Sequence, residues 1–165
     1  MLYLIGVRHD LQFEPSPSDV YKIVRDKRAI FKAHVLEIID NLGIQILAEE
    51  FSDDAKKLWS ARETVLEQIA TDKGIEHRFC DPDSIEKKEL GIELNPHKET
   101  DSDREKRRRV WLCRIGDCKR KRVLFVCGDD HFDSFAEKLS AAGFDVRRGL
   151  TLQISKREEF ETHGL

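Results

Sequence analysis

The chain contains the stretch Val123-Leu124-Phe125-Val126-Cys127-Gly128-Asp129-Asp130-His131, in which an apolar run is followed by a glycine and three ionisable side chains. A short apolar run that ends at turn residues is typical of a strand buried on both faces. A helical pattern follows over Asp133–Ala142, and Gly143 is a natural end for it. A strand-to-helix unit of this kind predicts a parallel sheet covered by helices.

The same alternation extends in both directions from this stretch. Strands are predicted at Leu2–Val7, Ile44–Ala48, Ile75–Cys80, Arg122–Cys127 and Phe144–Arg148, the last at a sheet edge, with Thr151–Ser155 as one further candidate. Helices are predicted over Asp19–Leu42, from a Ser52 cap to Gly74, in a short turn opened by Asp83 and Glu86, from Ser102 with Glu105 through Cys113, and over Asp133–Ala142. The region Gly91–Asp101 is predicted to be an irregular loop. These units predict an α/β fold with three layers: a mostly parallel sheet of about five strands, with helices on both faces.

Length and composition agree with one compact domain. The 165 residues are 39% apolar and 37% charged, which predicts a single α/β domain over residues 1–165 with a charged tail at about 156–165. No apolar run is long enough to span a bilayer, so no membrane association is expected. The four cysteines contain no C-x-x-C pair, which favours reduced thiols and a cytoplasmic location.

Ionisable residues follow the first four predicted strands. In a parallel sheet the carboxyl ends of the strands share one edge, and ligands bind there. We therefore expect one polar site formed by His9, Asp81, His131 and either Glu49 or Glu50. Strand alternation directs the two glutamates to opposite faces, so only one should reach the site. The predicted catalytic residues are His9, Glu49, Asp81 and His131.

The proposed site has the composition of a nitrogen and oxygen ligand set. Two histidines with carboxylates suit Mn²⁺, Fe²⁺, Co²⁺ or Zn²⁺ better than Ca²⁺. The predicted metal ligands are His9, Glu49 and His131, and such an ion would lower the pKa of a bound water. Without a metal, one histidine could act as a general base oriented by a carboxylate.

Two G-x-x-H motifs, Gly6–His9 and Gly128–His131, together with a glutamate after the second strand, resemble the TraB/PrgY/TIKI-like superfamily, which is related to erythromycin-esterase and ChaN-like proteins. The resemblance implies an α/β fold and a hydrolytic site built from His9, Glu49 or Glu50, and His131. In some members it implies a divalent metal and peptide-bond cleavage. The first functional hypothesis is therefore a hydrolase, with or without a divalent metal, for a small anionic or peptide-like substrate.

Two alternatives belong to other functional classes. Glu49 followed by Asp81-x-Asp83 is similar to the Toprim arrangement, which implies a Mg²⁺-dependent nuclease or phosphoesterase but leaves His9 and His131 unexplained. A module that senses a nucleotide or another anion without catalysis would use the same polar edge.

The charge is distributed unevenly along the chain. The segment Arg104–Arg122 contains ten basic and two acidic residues in a chain whose net charge is −3. Arg104, Arg107, Arg108 and Trp111 fall on one face of the predicted helix. Arginine binds carboxylates and phosphates in a bidentate manner, so Arg104 and Arg108, with Arg8, are predicted to bind the substrate. The segment 104–122 also makes nucleic acid a candidate partner. The oligomeric state stays open.

Overall fold

The structure is a computed structural model that describes residues 1–13 and 22–149, with only the backbone of residues 22–24. The strands in this part of the chain are β1 (Leu2–Val7), β2 (Ile46–Glu49), β3 (Glu76–Phe79), β4 (Val123–Gly128) and β5 (Val146–Arg148). The α-helices are α1 (Lys22–Leu42), α2 (Asp53–Leu58), α3 (Val65–Lys73), α4 (Ser84–Glu89), α5 (Asp101–Arg114) and α6 (Phe132–Ala141). Short 3-10 turns occupy His9–Leu11, Pro96–Lys98, Gly116–Cys118 and Asp129–His131.

The five strands form one parallel sheet in the order β3-β2-β4-β1-β5. The predicted α/β fold with a parallel sheet and helices on both faces is confirmed, and β5 lies at an edge as expected. In the central pair, β1 and β4, Gly6 lies opposite Cys127 and Val7 opposite Gly128. The two G-x-x-H motifs therefore end side by side at the carboxyl edge of the sheet.

Apolar clusters cover both faces of the sheet. On one face Phe125 packs among residues that include Trp111 of α5 and Phe135 of α6. On the other, Val126 packs with residues of α1 and α3, among them Phe31. Neighbouring strand residues therefore enter different layers, as the period of a strand requires.

The prediction of a single helix from Ser52 to Gly74 is wrong, because two helices occupy this stretch. Ser52 does cap a helix, but α2 ends at Leu58, and α3 begins after Thr64, whose side chain forms a capping box with Glu67. Ser60 lies between them with a φ of 51°, in the left-handed region that breaks a helix. Leu58 and Trp59 are consequently 79% and 54% exposed rather than part of the core.

The start of α5 also differs from the prediction. The capping box uses Thr100 and Asp103 instead of Ser102 and Glu105, and the region predicted as a loop contains a 3-10 turn. The side chain of Asp103 accepts a hydrogen bond from the backbone N–H of Thr100, as a glutamate does in the usual capping box. The sequence therefore offers two overlapping candidates for the start of this helix, and the structure uses the earlier one. The capping box of Asp83 and Glu86 is present at α4.

Two predicted segments, Thr151–Ser155 and the tail at 156–165, lie outside the described residues. Among the helices that are described, none is both long enough and apolar enough to cross a membrane. All four cysteines are free thiols, and three of them are buried.

Candidate functional site

The carboxyl ends of β1, β2 and β4 bring His9, Glu50 and His131 together. Each histidine lies in a 3-10 turn directly after its strand, and Glu50 continues β2 by donating its backbone N–H to Val126. Nε2 of His131 lies 3.4 Å from Oε1 of Glu50, and Nε2 of His9 lies 3.7 Å from the same oxygen. Two ring nitrogens, from the ends of β1 and β4, thus meet around one carboxylate oxygen at the end of β2.

The glycine of each G-x-x-H motif makes room for a side chain of the other motif. A Cβ atom on Gly128 would lie 2.8 Å from Nε2 of His9, and one on Gly6 would lie 3.0 Å from Oδ1 of Asp129. The backbone N–H of Gly128 also donates to Oε2 of Glu50 at 2.7 Å. The two glycines are therefore explained by this reciprocal packing at the end of the β1–β4 pair.

Arg107 of α5 is the central cation of the site. Its guanidinium group donates to Oε1 of Glu50 at 2.5 Å, to Oδ1 of Asp81 at 2.7 Å and to Oε1 of Glu99 at 2.9 Å. Only 12% of the Arg107 side chain is exposed, and the Glu50 side chain is completely buried. We call Arg107, Glu50, Asp81 and Glu99 the guanidinium cluster.

Arg107 keeps the carboxylates of Glu50 and Asp81 ionised. Burial raises the pKa of Glu50, but the positive charge of Arg107, with smaller effects of His9 and His131, brings the pKa below its usual value. Burial also raises the pKa of Asp81, and Arg107 and Lys87 reverse that effect. Burial by itself lowers the pKa of Arg107, while Glu50 and Asp81 raise it well above the ordinary value. Arg107, Glu50 and Asp81 are therefore paired ions at neutral pH.

His131 is held in one neutral form. Nη1 of Arg108 lies 3.3 Å from Nδ1, and a guanidinium group can only donate, so Nδ1 accepts and the ring proton lies on Nε2. Trp111 packs against the ring edge-on at 5.1 Å. Burial is the largest influence on the pKa of His131 and lowers it, and Arg107 and Arg108 act in the same direction against Glu50 and Glu99. His131 therefore presents an N–H group towards Glu50.

This environment predicts a measurable pH dependence of stability. Because the folded protein lowers the pKa of His131 below 6.5, the unfolded chain binds a proton more readily, and stability should fall as the pH drops below about 6.5. The variant His131→Phe should show a smaller loss of unfolding free energy than wild type between about pH 7 and pH 5. Urea unfolding at several pH values measures this, with the exposed His97→Phe as the control. Equal slopes in wild type and His131→Phe would contradict the assignment.

His9 is the accessible member of the site, since 48% of its side chain is exposed. Its Nδ1 lies 3.3 Å from the amide nitrogen of Gln12, which leaves Nε2 on the side of Glu50. A half-exposed imidazole beside a buried carboxylate can reach a substrate and exchange a proton with it.

Glu49 lies in a different cluster, on the α3 side of the sheet. Its Oε1 accepts from Thr64 at 2.5 Å and lies 2.8 Å from Nε2 of His77. Thr64 is the N-cap of α3, so Glu49 joins the start of that helix to β3. The structure therefore places Glu50, not Glu49, beside His9 and His131, and strand alternation is the reason.

Asp81 positions Arg107, and among the described residues it forms no hydrogen bond or ion pair with His9 or His131. Its Oδ1 accepts from Arg107 and, at 3.0 Å, from the indole N–H of Trp111, and its Oδ2 lies 2.9 Å from Nζ of Lys87. These contacts occupy both carboxylate oxygens. Asp81 thus holds Arg107, which in turn holds Glu50.

The arginines of α5 are paired with carboxylates of the chain. Arg104 lies 3.5 Å from Glu99, Arg108 contacts both Glu105 and His131, and Arg114 binds Glu86. At the other rim, Arg8 pairs with Asp10 at 2.9 Å. Of the predicted substrate-binding residues, Arg108 reaches the site directly. Sequence reasoning placed Arg107 on the correct helix face but did not select it, because the pattern could not show which arginine meets three carboxylates.

The predicted metal ligands do not form a metal site in this arrangement. Glu49 is in the other cluster, and in the part of the chain that is described no three His, Cys, Asp or Glu side chains are arranged to hold an ion. Glu50 could replace Glu49, but its Oε1 is bound by Arg107 and its Oε2 by the N–H of Gly128. Because His131 carries its proton on Nε2, it directs no lone pair to that position.

The contact between Gly128 and His9 can be tested by adding one methyl group. Gly128→Ala should displace the half-exposed His9 ring and reduce the stability by about 1 kcal/mol, at the low end of what overpacking costs, because the end of that side chain can move away. The backbone of Gly128 has φ −61° and ψ 146°, which alanine adopts without strain. Gly116→Ala is the control, because its Cβ would meet nothing within 4 Å. Thermal melts and the NMR shifts of His9 provide the readout, and an unmoved His9 ring would show that the close approach is wrong.

The comparisons with protein-family models, with curated proteins and with solved structures find no match to this chain. The resemblance of the two G-x-x-H motifs to the TraB/PrgY/TIKI-like superfamily therefore stays a prediction. The geometry of the site is the evidence from which a function can be argued.

Proposed function

We propose that this protein is a hydrolase that cleaves an ester or amide bond of a small or peptide-like substrate, with the reaction taking place between His9, His131 and Glu50. The observation that supports this most is the convergence of both Nε2 atoms on Oε1 of Glu50, at 3.7 Å and 3.4 Å. These separations exceed a good hydrogen bond, so both ring nitrogens are available to a water or substrate oxygen that lies beside Glu50.

His9 is the proposed general base. It accepts a proton from a water molecule, whose oxygen attacks the carbonyl carbon of the substrate. The resulting imidazolium returns the proton to the leaving oxygen or nitrogen as the bond to the carbonyl carbon breaks. Glu50, held ionised by Arg107, stabilises the positive charge that His9 carries between these steps.

His131 is the proposed stabiliser of the developing oxyanion. Its neutral ring directs Nε2–H into the site because Arg108 donates to Nδ1. A fixed N–H donor favours the negative charge that forms on the carbonyl oxygen during attack. Arg107 and Asp81 fix Glu50 before substrate arrives, so little reorganisation is required.

The geometry gives less support to the alternatives. For a Toprim-like reaction Glu49, Asp81 and Asp83 would have to share a Mg²⁺ ion, but Glu49 binds Thr64, Asp81 binds Arg107, and Asp83 caps α4. For an anion sensor the arginines would have to be available, and those of α5 pair with carboxylates of this chain.

The test is a substrate panel on the full chain. The panel contains p-nitrophenyl esters, peptide p-nitroanilides and bis-p-nitrophenyl phosphate, each assayed with EDTA and with added Mn²⁺, Zn²⁺ or Mg²⁺. We expect hydrolysis of an ester or anilide that persists in EDTA and is lost in both His9→Gln and His131→Gln. Cleavage of the phosphodiester alone with Mg²⁺ would indicate the nuclease hypothesis. Activity that chelation abolishes would require a metal, and nucleotide-dependent thermal stabilisation without turnover would indicate a sensor.

A further inference from the structure

Gln12 is a fully buried polar residue that the proposed reaction has not used. Its side chain lies beside Nδ1 of His9, with the amide nitrogen 3.3 Å away. Its amide oxygen, Oε1, is buried and has no hydrogen-bond partner among the described residues. A buried amide oxygen without a donor is uncommon in folded proteins and calls for a physical explanation.

The backbone fixes Gln12 in position. Its N–H donates to the carbonyl oxygen of His9 at 3.0 Å, and its own carbonyl oxygen accepts from the N–H of Val65 at 2.7 Å. The next residue, Phe13, forms an antiparallel bridge with Thr64. The turn that carries His9 is therefore attached to the start of α3. This attachment fixes the Gln12 side chain beside Nδ1 of His9.

The amide group of Gln12 can face His9 in two ways that occupy the same space. With the nitrogen towards Nδ1, the amide donates, Nδ1 holds the lone pair and a neutral His9 carries its proton on Nε2. A half-turn of the amide places Oε1 there instead, where it accepts a proton from Nδ1. Nε2 of His9 then holds the lone pair and faces Glu50 and the position of the attacking water.

We infer that Gln12 is the positioning residue of His9, and that its Oε1 accepts the Nδ1–H bond and so places the basic lone pair on Nε2. This orientation gives the buried amide oxygen a donor in Nδ1–H, and it places the amide nitrogen where the oxygen had no donor. It also gives His9 the tautomer that a general base needs on the side of Glu50. Partners that fix the tautomer of a functional histidine are the usual way in which its basicity is directed. The consequence for rate rests on the proposed function, whereas the tautomer does not.

The first measurement is the tautomer itself. The ¹⁵N shifts of the neutral His9 ring, assigned by their absence in His9→Gln, distinguish a proton on Nδ1 from one on Nε2. Wild type and Gln12→Glu should both carry the proton on Nδ1, since a carboxylate can only accept. Gln12→Leu should lose this preference, and the exposed Gln45→Leu, at the opposite edge of the sheet, should leave it unchanged. A wild-type proton on Nε2, or the same tautomer in wild type and Gln12→Leu, would overturn the inference.

The second measurement is the rate with the ester or anilide found in the substrate panel. Gln12→Leu should lower kcat about 10–100-fold with little change in KM, and Gln12→Glu should restore most of it. If Gln12→Leu does not fold, Gln12→Met takes its place in both measurements. An unchanged kcat in the folded variant contradicts the inference even if hydrolysis depends on His9. A hydrolase hypothesis that fails on the substrate panel leaves the tautomer result standing, so the two failures are distinguishable.

Discussion

Replacing Arg107 by leucine should destabilise the protein by about 3–5 kcal/mol at neutral pH, the usual cost of removing one partner from a buried ion pair. Glu50 and Asp81 are almost entirely buried, and Arg107 supplies the closest positive charge to both. Without Arg107 the buried charge of Glu50 loses its ion-pair partner, while Asp81 keeps Lys87 at 2.9 Å, and the lost volume of the side chain is a smaller effect. For a chain of this size the melting temperature should fall by about 10 °C or more.

Arg109→Leu, two positions from Arg107 on the same helix, is the matched control. Its side chain is 71% exposed and its ion pair is with Glu105 on the helix surface, so its loss should change stability by about 0.5 kcal/mol or less. Urea unfolding of the two variants at pH 7 gives the comparison. Similar losses in both variants would mean that the guanidinium cluster does not stabilise the fold.

Wild type and Arg107→Leu should differ in how their stability depends on pH in the acid range. In wild type the pKa values of Glu50 and Asp81 are lower than in the unfolded chain. Their contribution to the free energy of unfolding is therefore complete above about pH 4.5, and it is lost as the pH falls through the pKa values of the folded protein. In Arg107→Leu the burial of Glu50 is no longer offset by the guanidinium charge, and Asp81 keeps Lys87 as its close cation, so both carboxyl groups should take up protons at a higher pH than in wild type. The difference in stability between the two proteins should therefore shrink as the pH falls from 6 to 4.

Replacing His9 by glutamine should reduce hydrolysis by about 10²–10⁴-fold, the usual contribution of a general base. The imidazole is half exposed and its Nε2 lies 3.7 Å from Glu50, so little buried structure depends on it. The melting temperature should stay within a few degrees of wild type. A loss of activity together with a preserved melt separates a catalytic role from a structural one.

His97→Gln provides the control for this variant, because His97 is exposed and follows Asn95 in a short turn outside the guanidinium cluster. Its activity should equal that of wild type. The kinetic constants and the thermal melts of both variants are measured on the same preparations. A His9→Gln protein that keeps wild-type turnover would remove the proposed base, whatever its stability.

The location of the site could be predicted from the sequence because strand ends are a local property. Each histidine follows a short apolar run, and consecutive parallel strands align their carboxyl ends at one edge. This placed His9 and His131 together without any knowledge of strand order. The choice between Glu49 and Glu50 was a different problem, since it depends on which face of β2 packs against α5.

What the sequence by itself determined is therefore the α/β class, the parallel strands and the edge at which the ionisable residues gather. The tertiary structure alone decided that Glu50 faces the histidines and that Arg107 is the arginine that binds Glu50. It also decided that the Gln12 amide contacts Nδ1 of His9. The physical reason is the range of the interactions. Periodicity and capping act over a few residues, whereas the contact of Arg107 with Glu50 joins positions 57 residues apart. Such a contact is specified by how helix and sheet pack, which no local pattern contains.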